Sequence, residues 1–353
     1  MKAIVKNSAL PHDLSVSELE IGTPGAHDVL LRISAVGICG SDLHMYAGHG
    51  GYRWIDYPLV LGHEICGVVS ALGAQADPAL LGKRVVVNPY IPCGTCDFCQ
   101  RGEENRCDWG AFYTSKNPPQ SLQYGFRRGG GMSEYLIVQE KNLVVLGDQV
   151  ADTTAAILEA VAVSVTAVDK IAEIERKTIV VFGPGPIGLA TIRVLAGLKA
   201  KKIVAVGVAG DKSRLKKAKE LGADETVLIG DQAVKQLIEK SPQGYDAVLD
   251  SSGHPSVPQT AVSLLKKGSQ LILIGISDRS FSLPMDQIVR GELSITGSYG
   301  VTKESFQRTV AYASRPEFHF EELISNIFPY QQADLAFQNA LNQVPGKVVL
   351  SFK

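Results

Sequence analysis

The run Gly183-Pro184-Gly185-Pro186-Ile187-Gly188 narrows the folds open to this chain more than any other stretch. Before it stands Lys177-Thr178-Ile179-Val180-Val181-Phe182, a short apolar and β-branched segment that reads as a buried strand. After it, Leu189-Ala190-Thr191-Ile192-Arg193-Val194-Leu195-Ala196 reads as a helix. With 35 glycines in 353 residues the spacing alone means little. On a strand-to-helix turn it points to a dinucleotide site. The first glycine permits the tight turn, the second lets a pyrophosphate approach the backbone, and the third lets helix and strand pack closely. Unpaired N–H groups and the dipole at the helix start favour phosphates. The alternation continues, with strand-like stretches at 177–182, 202–206, 225–228, 246–250, 270–274 and 293–298. Helical stretches lie between them, including Ser213 to Leu221 and Val257 to Lys266. Six strands joined by helical crossovers predict a doubly wound parallel sheet, an α/β fold.

Residues 1 to about 155 have a different texture. Short β-type segments such as Ala3-Ile4-Val5, Asp28 to Ile33, Gly67-Val68-Val69 and Arg84 to Val87 are separated by Gly and Pro, which predicts a compact, mostly antiparallel β domain. The chain closes with Lys347-Val348-Val349-Leu350-Ser351-Phe352, a strand expected to rejoin that first domain.

Cysteines stand at 39, 66, 93, 96, 99 and 107, and this clustering suggests metal rather than disulfides. In Cys93-x2-Cys96-x2-Cys99-x7-Cys107, Gly94, Thr95 and Asp97 favour turns that aim the thiolates inward. Four thiolates close a tetrahedral zinc site with no room for substrate, so this zinc should be structural. An iron–sulfur run of the bacterial ferredoxin type has a three-residue last spacer followed by Pro; here the spacer is seven residues and Asp108 follows. A nucleic-acid zinc ribbon is disfavoured by Glu103-Glu104 in the loop and a net charge of -1. Cys66 reads as a buried free thiol. The start of the chain has no secretory pattern, and no apolar run approaches a membrane span. A cytoplasmic protein with neither a nucleic-acid nor a membrane partner is expected.

A second metal site is suggested by Gly37-Ile38-Cys39-Gly40-Ser41-Asp42-Leu43-His44 and Gly62-His63-Glu64. Cys39 and His63 are ligand types suited to zinc. A catalytic zinc needs a third protein ligand and an open position; Glu64 and Glu159 are the candidates, with Asp42 placed to orient His63.

Together these pieces resemble the zinc-containing medium-chain alcohol dehydrogenase family, in particular its sorbitol (polyol) and threonine dehydrogenase branch. The resemblance also draws on Gly129-Gly130-Gly131-Met132-Ser133-Glu134-Tyr135 and Leu158-Glu159, and spans essentially the whole chain. It implies a GroES-like catalytic domain from residues 1–156 and 299–353 and a Rossmann coenzyme domain at 157–298, with the active site in the cleft between them. It implies Cys39, His63 and Glu159 as catalytic zinc ligands, Glu64 as an alternating or direct ligand, and Ser41 and His44 as the proton relay. Zinc would lower the pKa of the bound alcohol, and hydride would pass to a nicotinamide cofactor. A homo-oligomer, dimer or tetramer, is implied as well.

Two positions depart from the family pattern. Ala160 follows Glu159 where a Pro is usual. The second Rossmann strand runs Ile203-Val204-Ala205-Val206 into Gly207 with no terminal acid. The next acid is Asp211, followed by Lys212, Ser213 and Arg214. Loss of the acid removes its repulsion of a 2′-phosphate, unless Asp211 folds back on the longer loop and takes the acid's role, with Lys212 and Arg214 as helix-surface charges. Use of both NAD and NADP is therefore expected, with a slight lean to NADP and with Asp211 and Arg214 joining Gly183, Gly185, Pro186, Ile187 and Gly188 at the cofactor. For substrate, the resemblance implies a polyol or sugar-derived secondary alcohol first and an amino alcohol of the threonine type second. Tyr46 and Trp54, between the two ligand motifs, are candidates for the pocket wall, and Phe112, Tyr113, Pro118-Pro119 and Tyr124-Gly125-Phe126 for the pocket or subunit contacts, with loop and core aromatics as an equal reading. Arg127 and Arg128 read first as a solvated loop pair, with an acidic or phosphorylated substrate as the alternative that such cations suit. A non-catalytic nucleotide-binding protein on the same fold is the rival of another class. The zinc-free quinone reductase branch lacks both the four-cysteine lobe and the Cys39/His63 pair.

Overall fold

The computed structural model describes residues 1–52, 54–107, 123–230 and 232–353. The chain divides into two compact units. The first comprises Met1–Ala162, Val301–Arg315 and Ile324–Lys353, and the second Val163–Gly300 and Pro316–Leu323.

The first unit is organised on the strand Asp28–Ile38. It pairs antiparallel with Glu64–Leu72, with Tyr135–Gln139 and with the last strand, Lys347–Ser351. The strand runs five residues beyond the Asp28–Ile33 stretch that the sequence suggested. Ser34 and Gly37 look like strand breakers, yet Ala35, Val36 and Ile38 are buried and hold the extension against the core. Gly37 leaves room for the Glu64 carboxylate, since a Cβ on it would lie 2.1 Å from Glu64 Oε2 and push that side chain aside. The register sets Gly37 opposite Glu64, and so delivers the first metal-ligand motif beside the second. Ile4, Leu31, Ile33, Met45, Tyr46, Ile65, Phe337 and Leu350 share the core behind this sheet.

The second unit carries a six-stranded sheet. Its order is Glu225–Leu228, Lys202–Gly207, Thr178–Phe182, Tyr245–Asp250, Leu265–Leu273, Ser294–Gly297, and every pairing is parallel. The fold is thus α/β, with all six expected strands present. The first strand in sequence lies inside the sheet, and the order reverses beside it, which makes its carboxyl end the switch point where such sheets bind ligands. Helix Val257–Leu264 stops two residues short of Lys266, because Leu265 already begins the next strand. Lys266 Nζ is drawn to Asp246 at 3.0 Å. Among the described residues no helix is long and apolar enough to cross a membrane.

Candidate functional site

Cys39 ends the long strand and occupies the position before the helix Gly40–Tyr46. His63 and Glu64 lie where the strand Glu64–Leu72 begins. Cys39, His63 and Glu64 can each offer one ligand atom, with all three atoms within 4.8 Å of one another. Glu159, on helix Leu158–Val168, places Oε2 4.0 Å from His63 Nε2. All four candidate ligands therefore converge within the first unit.

Asp42 is fully buried, but it does not hydrogen-bond His63 as the sequence suggested. Its two oxygens accept the backbone N–H groups of Cys39 at 2.9 Å and Gly62 at 3.3 Å, so it staples the two ligand turns together. His63 Nδ1 is buried with no hydrogen-bond partner among the described residues.

The electrostatics favour a cation. Burial opposes a charged His63, yet Cys39, Asp42 and Glu159 outweigh it and hold the imidazole up to about 10. Burial raises Glu159 to about 7. Surroundings that favour a proton on His63 also favour a metal ion between these groups. Glu64 Oε2 is buried and lacks a hydrogen-bond partner among the described residues, an acceptor a metal would satisfy. The donor set of thiolate, imidazole and carboxylate fits zinc.

Lys347 gave no functional signal in the sequence beyond being a basic residue at the head of an apolar strand. Its Nζ donates to Glu64 Oε1 at 2.5 Å and to the Ile38 carbonyl at 2.8 Å. Burial works against its charge, but Glu64 and Cys39 keep its pKa above the ordinary lysine value.

Ser41 and His44 lie three positions apart on the helix Gly40–Tyr46, a spacing that puts them on one face. Ser41 Oγ is buried and without a hydrogen-bond partner among the described residues. A row of rings joins His44 to His63. Tyr52 stacks on His44 with centroids 5.8 Å apart, and Trp54 on Tyr52 at 6.3 Å. Phe126 stacks on Trp54 at 6.1 Å and reaches His63 at 5.0 Å. The Arg127 guanidinium lies 4.8 Å over the Trp54 ring. Of the two readings open for Tyr46, the core holds: it is 0% exposed, its hydroxyl bonded to Asp334 at 2.5 Å. Arg128 is exposed. Phe112, Tyr113 and Pro118-Pro119 lie outside the described residues.

The sulfurs of Cys93, Cys96, Cys99 and Cys107 form the second cluster. Cys93–Cys99, Cys96–Cys99 and Cys96–Cys107 are separated by 3.8, 3.5 and 4.0 Å. Four sulfurs about 2.3 Å from one tetrahedral zinc lie about 3.8 Å apart, so the cage fits that ion. These separations are far beyond a disulfide bond. Burial raises the Cys93 thiol, but N–H groups of Thr95 and Cys96 outweigh it and bring it down to about 6, ready to ligate as thiolate.

In the second unit, Gly183 has φ 82, and Gly188 packs so closely that a Cβ would lie 2.0 Å from the Gly183 carbonyl oxygen. Gly185 faces open space and precedes helix Pro186–Gly197 without a side-chain cap. This is the cradle a pyrophosphate needs. Asp211 folds back over the strand end, with Cβ 3.0 Å from where a Gly207 Cβ would lie. Its carboxylate accepts the Val208 N–H at 3.0 Å and pairs with Arg214 at 3.2 Å.

Two family models match. The alcohol dehydrogenase GroES-like domain covers residues 25–148, and the zinc-binding dehydrogenase domain covers 186–315. The starvation-sensing protein RspB of Escherichia coli K12 is 33% identical, over 91% of this chain and 90% of that protein. A sorbitol dehydrogenase of Halalkalibacterium halodurans is 29% identical over 99% of both chains. The crystal structure of the E. coli CFT073 alcohol dehydrogenase rspB in complex with NADH matches with TM-score 0.90 and 32% identity, covering 100% of this chain and 99% of that one. Two clusters of metal-ligand side chains, a glycine-turn Rossmann unit and matches along nearly the whole chain lead to one assignment: the protein belongs to the zinc-containing medium-chain alcohol dehydrogenase family.

Proposed function

We propose that this chain oxidises a secondary hydroxyl of a polyol or sugar-derived alcohol, and reduces the matching ketone, with zinc and a nicotinamide cofactor. The observation that carries this reading is the convergence of Cys39, His63, Glu64 and Glu159, with the unpaired Glu64 oxygen among them. When bound, the metal acidifies the alcohol and the nicotinamide accepts its hydride. Cys39, His63 and Glu159 would hold the ion, with Glu64 as an alternating or direct ligand. Lys347 grips Oε1 of Glu64 and leaves Oε2 as the oxygen that would face the metal. The unpartnered Ser41 hydroxyl takes the substrate proton and hands it towards His44. Cys93, Cys96, Cys99 and Cys107 hold the structural zinc.

The aromatic row suits the apolar face of a carbon chain whose hydroxyls turn elsewhere. The similarity to a sorbitol dehydrogenase supports a polyol. A sugar derivative bearing a carboxylate or phosphate is favoured by one observation, the half-buried Arg127 set on that row with no acidic partner among the described residues. Gly183, Gly185, Pro186, Ile187 and Gly188 cradle the cofactor, and Asp211 and Arg214 meet its ribose. The Asp211–Arg214 pairing blunts both repulsion of a 2′-phosphate and attraction to it, which supports use of both NAD and NADP.

We place the enzyme in the cytoplasm, where its six cysteines, none in a disulfide, stay reduced. We read it as a homo-oligomer. Ile276, Met285 and Val289 are 77%, 76% and 68% exposed and close in sequence to the edge strand Ser294–Gly297, and exposed apolar side chains together with an edge strand favour self-association. The test of the central reading is a panel of polyols, sugar acids, sugar phosphates and amino alcohols, each with NAD and NADP, followed by cofactor absorbance. Turnover should appear with at least one polyol or sugar derivative; none with any member would overturn it.

A further inference from the structure

His44, read above as receiving the substrate proton, has a second histidine beside it. Its Nδ1 lies 2.6 Å from Nδ1 of His49, with ring centroids 4.9 Å apart. The backbone fixes this meeting. His49 N–H donates to the His44 carbonyl at 3.0 Å, and Tyr52 N–H donates to the His49 carbonyl at 3.2 Å. Tyr52 also stacks on His44, at 16° between ring planes, so the His44 ring meets both a phenol and a second imidazole. Both histidines are exposed, in contrast to the buried Ser41 hydroxyl.

We infer that His49 is a positioning and proton-transfer partner of His44, and that the two rings act as one port between the buried site and solvent. Two Nδ1 atoms 2.6 Å apart hold one proton between them: one ring donates and the other accepts. This fixes the tautomers as complementary and leaves each Nε2 for traffic. In alcohol oxidation a proton enters at His44 Nε2. The shared proton crosses to His49 Nδ1, and one proton leaves His49 Nε2 to water. One proton enters and one leaves; the pair keeps its charge and resets by exchange with solvent. In ketone reduction the order reverses.

The surroundings fit a relay that stays neutral until used. Partial burial and the neighbouring His49 both lower the His44 pKa below the ordinary imidazole value. Among the described residues the other titratable group stacked on the pair is Tyr52, whose pKa burial and the nearby Cys39 and Asp42 raise, so it stays a neutral phenol. No carboxylate forms an ion pair with either ring among the described residues. At working pH the pair is therefore free to accept the departing proton.

The inference rests on the alcohol oxidation proposed above, and its first test needs no turnover. In protein labelled with 15N-histidine, His44 should titrate at higher pH in His49→Gln than in wild type, because the variant removes the neighbour that disfavours its proton. In the zinc-loaded enzyme, His49→Gln should lower kcat for oxidation about tenfold, within the range of a lost acid–base group. The acidic limb should move to higher pH, and added imidazole should restore rate. An unchanged His44 titration would overturn the pairing. A shifted titration with unchanged kcat and no imidazole rescue would overturn proton transfer by His49. A wild type inactive on every alcohol would instead sink the functional reading and leave the titration result standing.

Discussion

Lys347 and Glu64 form a buried ion pair across strands from opposite ends of the chain, with Nζ 2.5 Å from Oε1 and side chains 5% and 0% exposed. Gly37 lies opposite Glu64 on one side of the strand Asp28–Ile38, and Val348 lies opposite Ile38 on the other, so two registers place the pair. Removing one partner of such a pair costs more than the pair contributes, because the other charge remains buried. Lys347→Met should therefore lose about 3–5 kcal/mol of stability. Lys347→Arg, which keeps the charge, should lose less. Urea unfolding of the three proteins decides this, and a Met variant as stable as wild type would show the pair to be dispensable.

Metal content separates the two clusters. Purified without chelator, the protein should carry about two zinc equivalents, one per cluster. Cys39→Ala should retain about one, stay folded and lose turnover. Cys99→Ala should also retain about one, but with a lowered melting temperature, since a structural zinc contributes folding energy directly. Elemental analysis with thermal unfolding reads both, and iron in place of zinc would contradict the assignment.

Asp211 restrains Arg214, so Asp211→Ala should release that cation towards a 2′-phosphate. The ratio of kcat/KM for NADP to that for NAD should then rise about tenfold, the worth of a single charge-assisted contact. Binding of NADPH and NADH followed by fluorescence gives the same comparison without turnover. A fall in the ratio would mean that Asp211 does not oppose the phosphate.

Arg127→Ala should raise KM about tenfold for a carboxylated or phosphorylated sugar and leave KM for a neutral polyol unchanged. Equal effects on both would make Arg127 a support for the Trp54 ring rather than an anion contact.

What could be read in the sequence was local. The glycine turn with its flanking strand, the four-cysteine spacing and the six strand stretches need only neighbours in sequence to be recognised. What escaped depends on register. Nothing near Lys347 announces a carboxylate 283 residues away. Nothing near His49 says that the chain after helix Gly40–Tyr46 turns its ring back onto His44. Tyr46 stayed open between pocket wall and core because proximity to ligand motifs says nothing about which face of a short helix points inward; its ring packs on Phe337 in the core. Asp42 was given the wrong partner for a related reason: its carboxylate finds two backbone N–H groups closer than the imidazole.

The sheet that holds the metal ligands takes its last strand, Lys347–Ser351, from beyond the whole Rossmann unit. A ribosome therefore delivers Cys39, His63 and Glu64 long before it delivers the ammonium that restrains Glu64. In the interval the intervening unit, nearly continuous in sequence, is complete and free to fold. Until then the nascent chain holds the Cys39 thiol, the His63 imidazole and the Glu64 carboxylate with neither oxygen of Glu64 restrained by Lys347. Arrival of the final strand closes the ion pair with Glu64, so the charge balance of this cluster is settled by a strand made after the second unit.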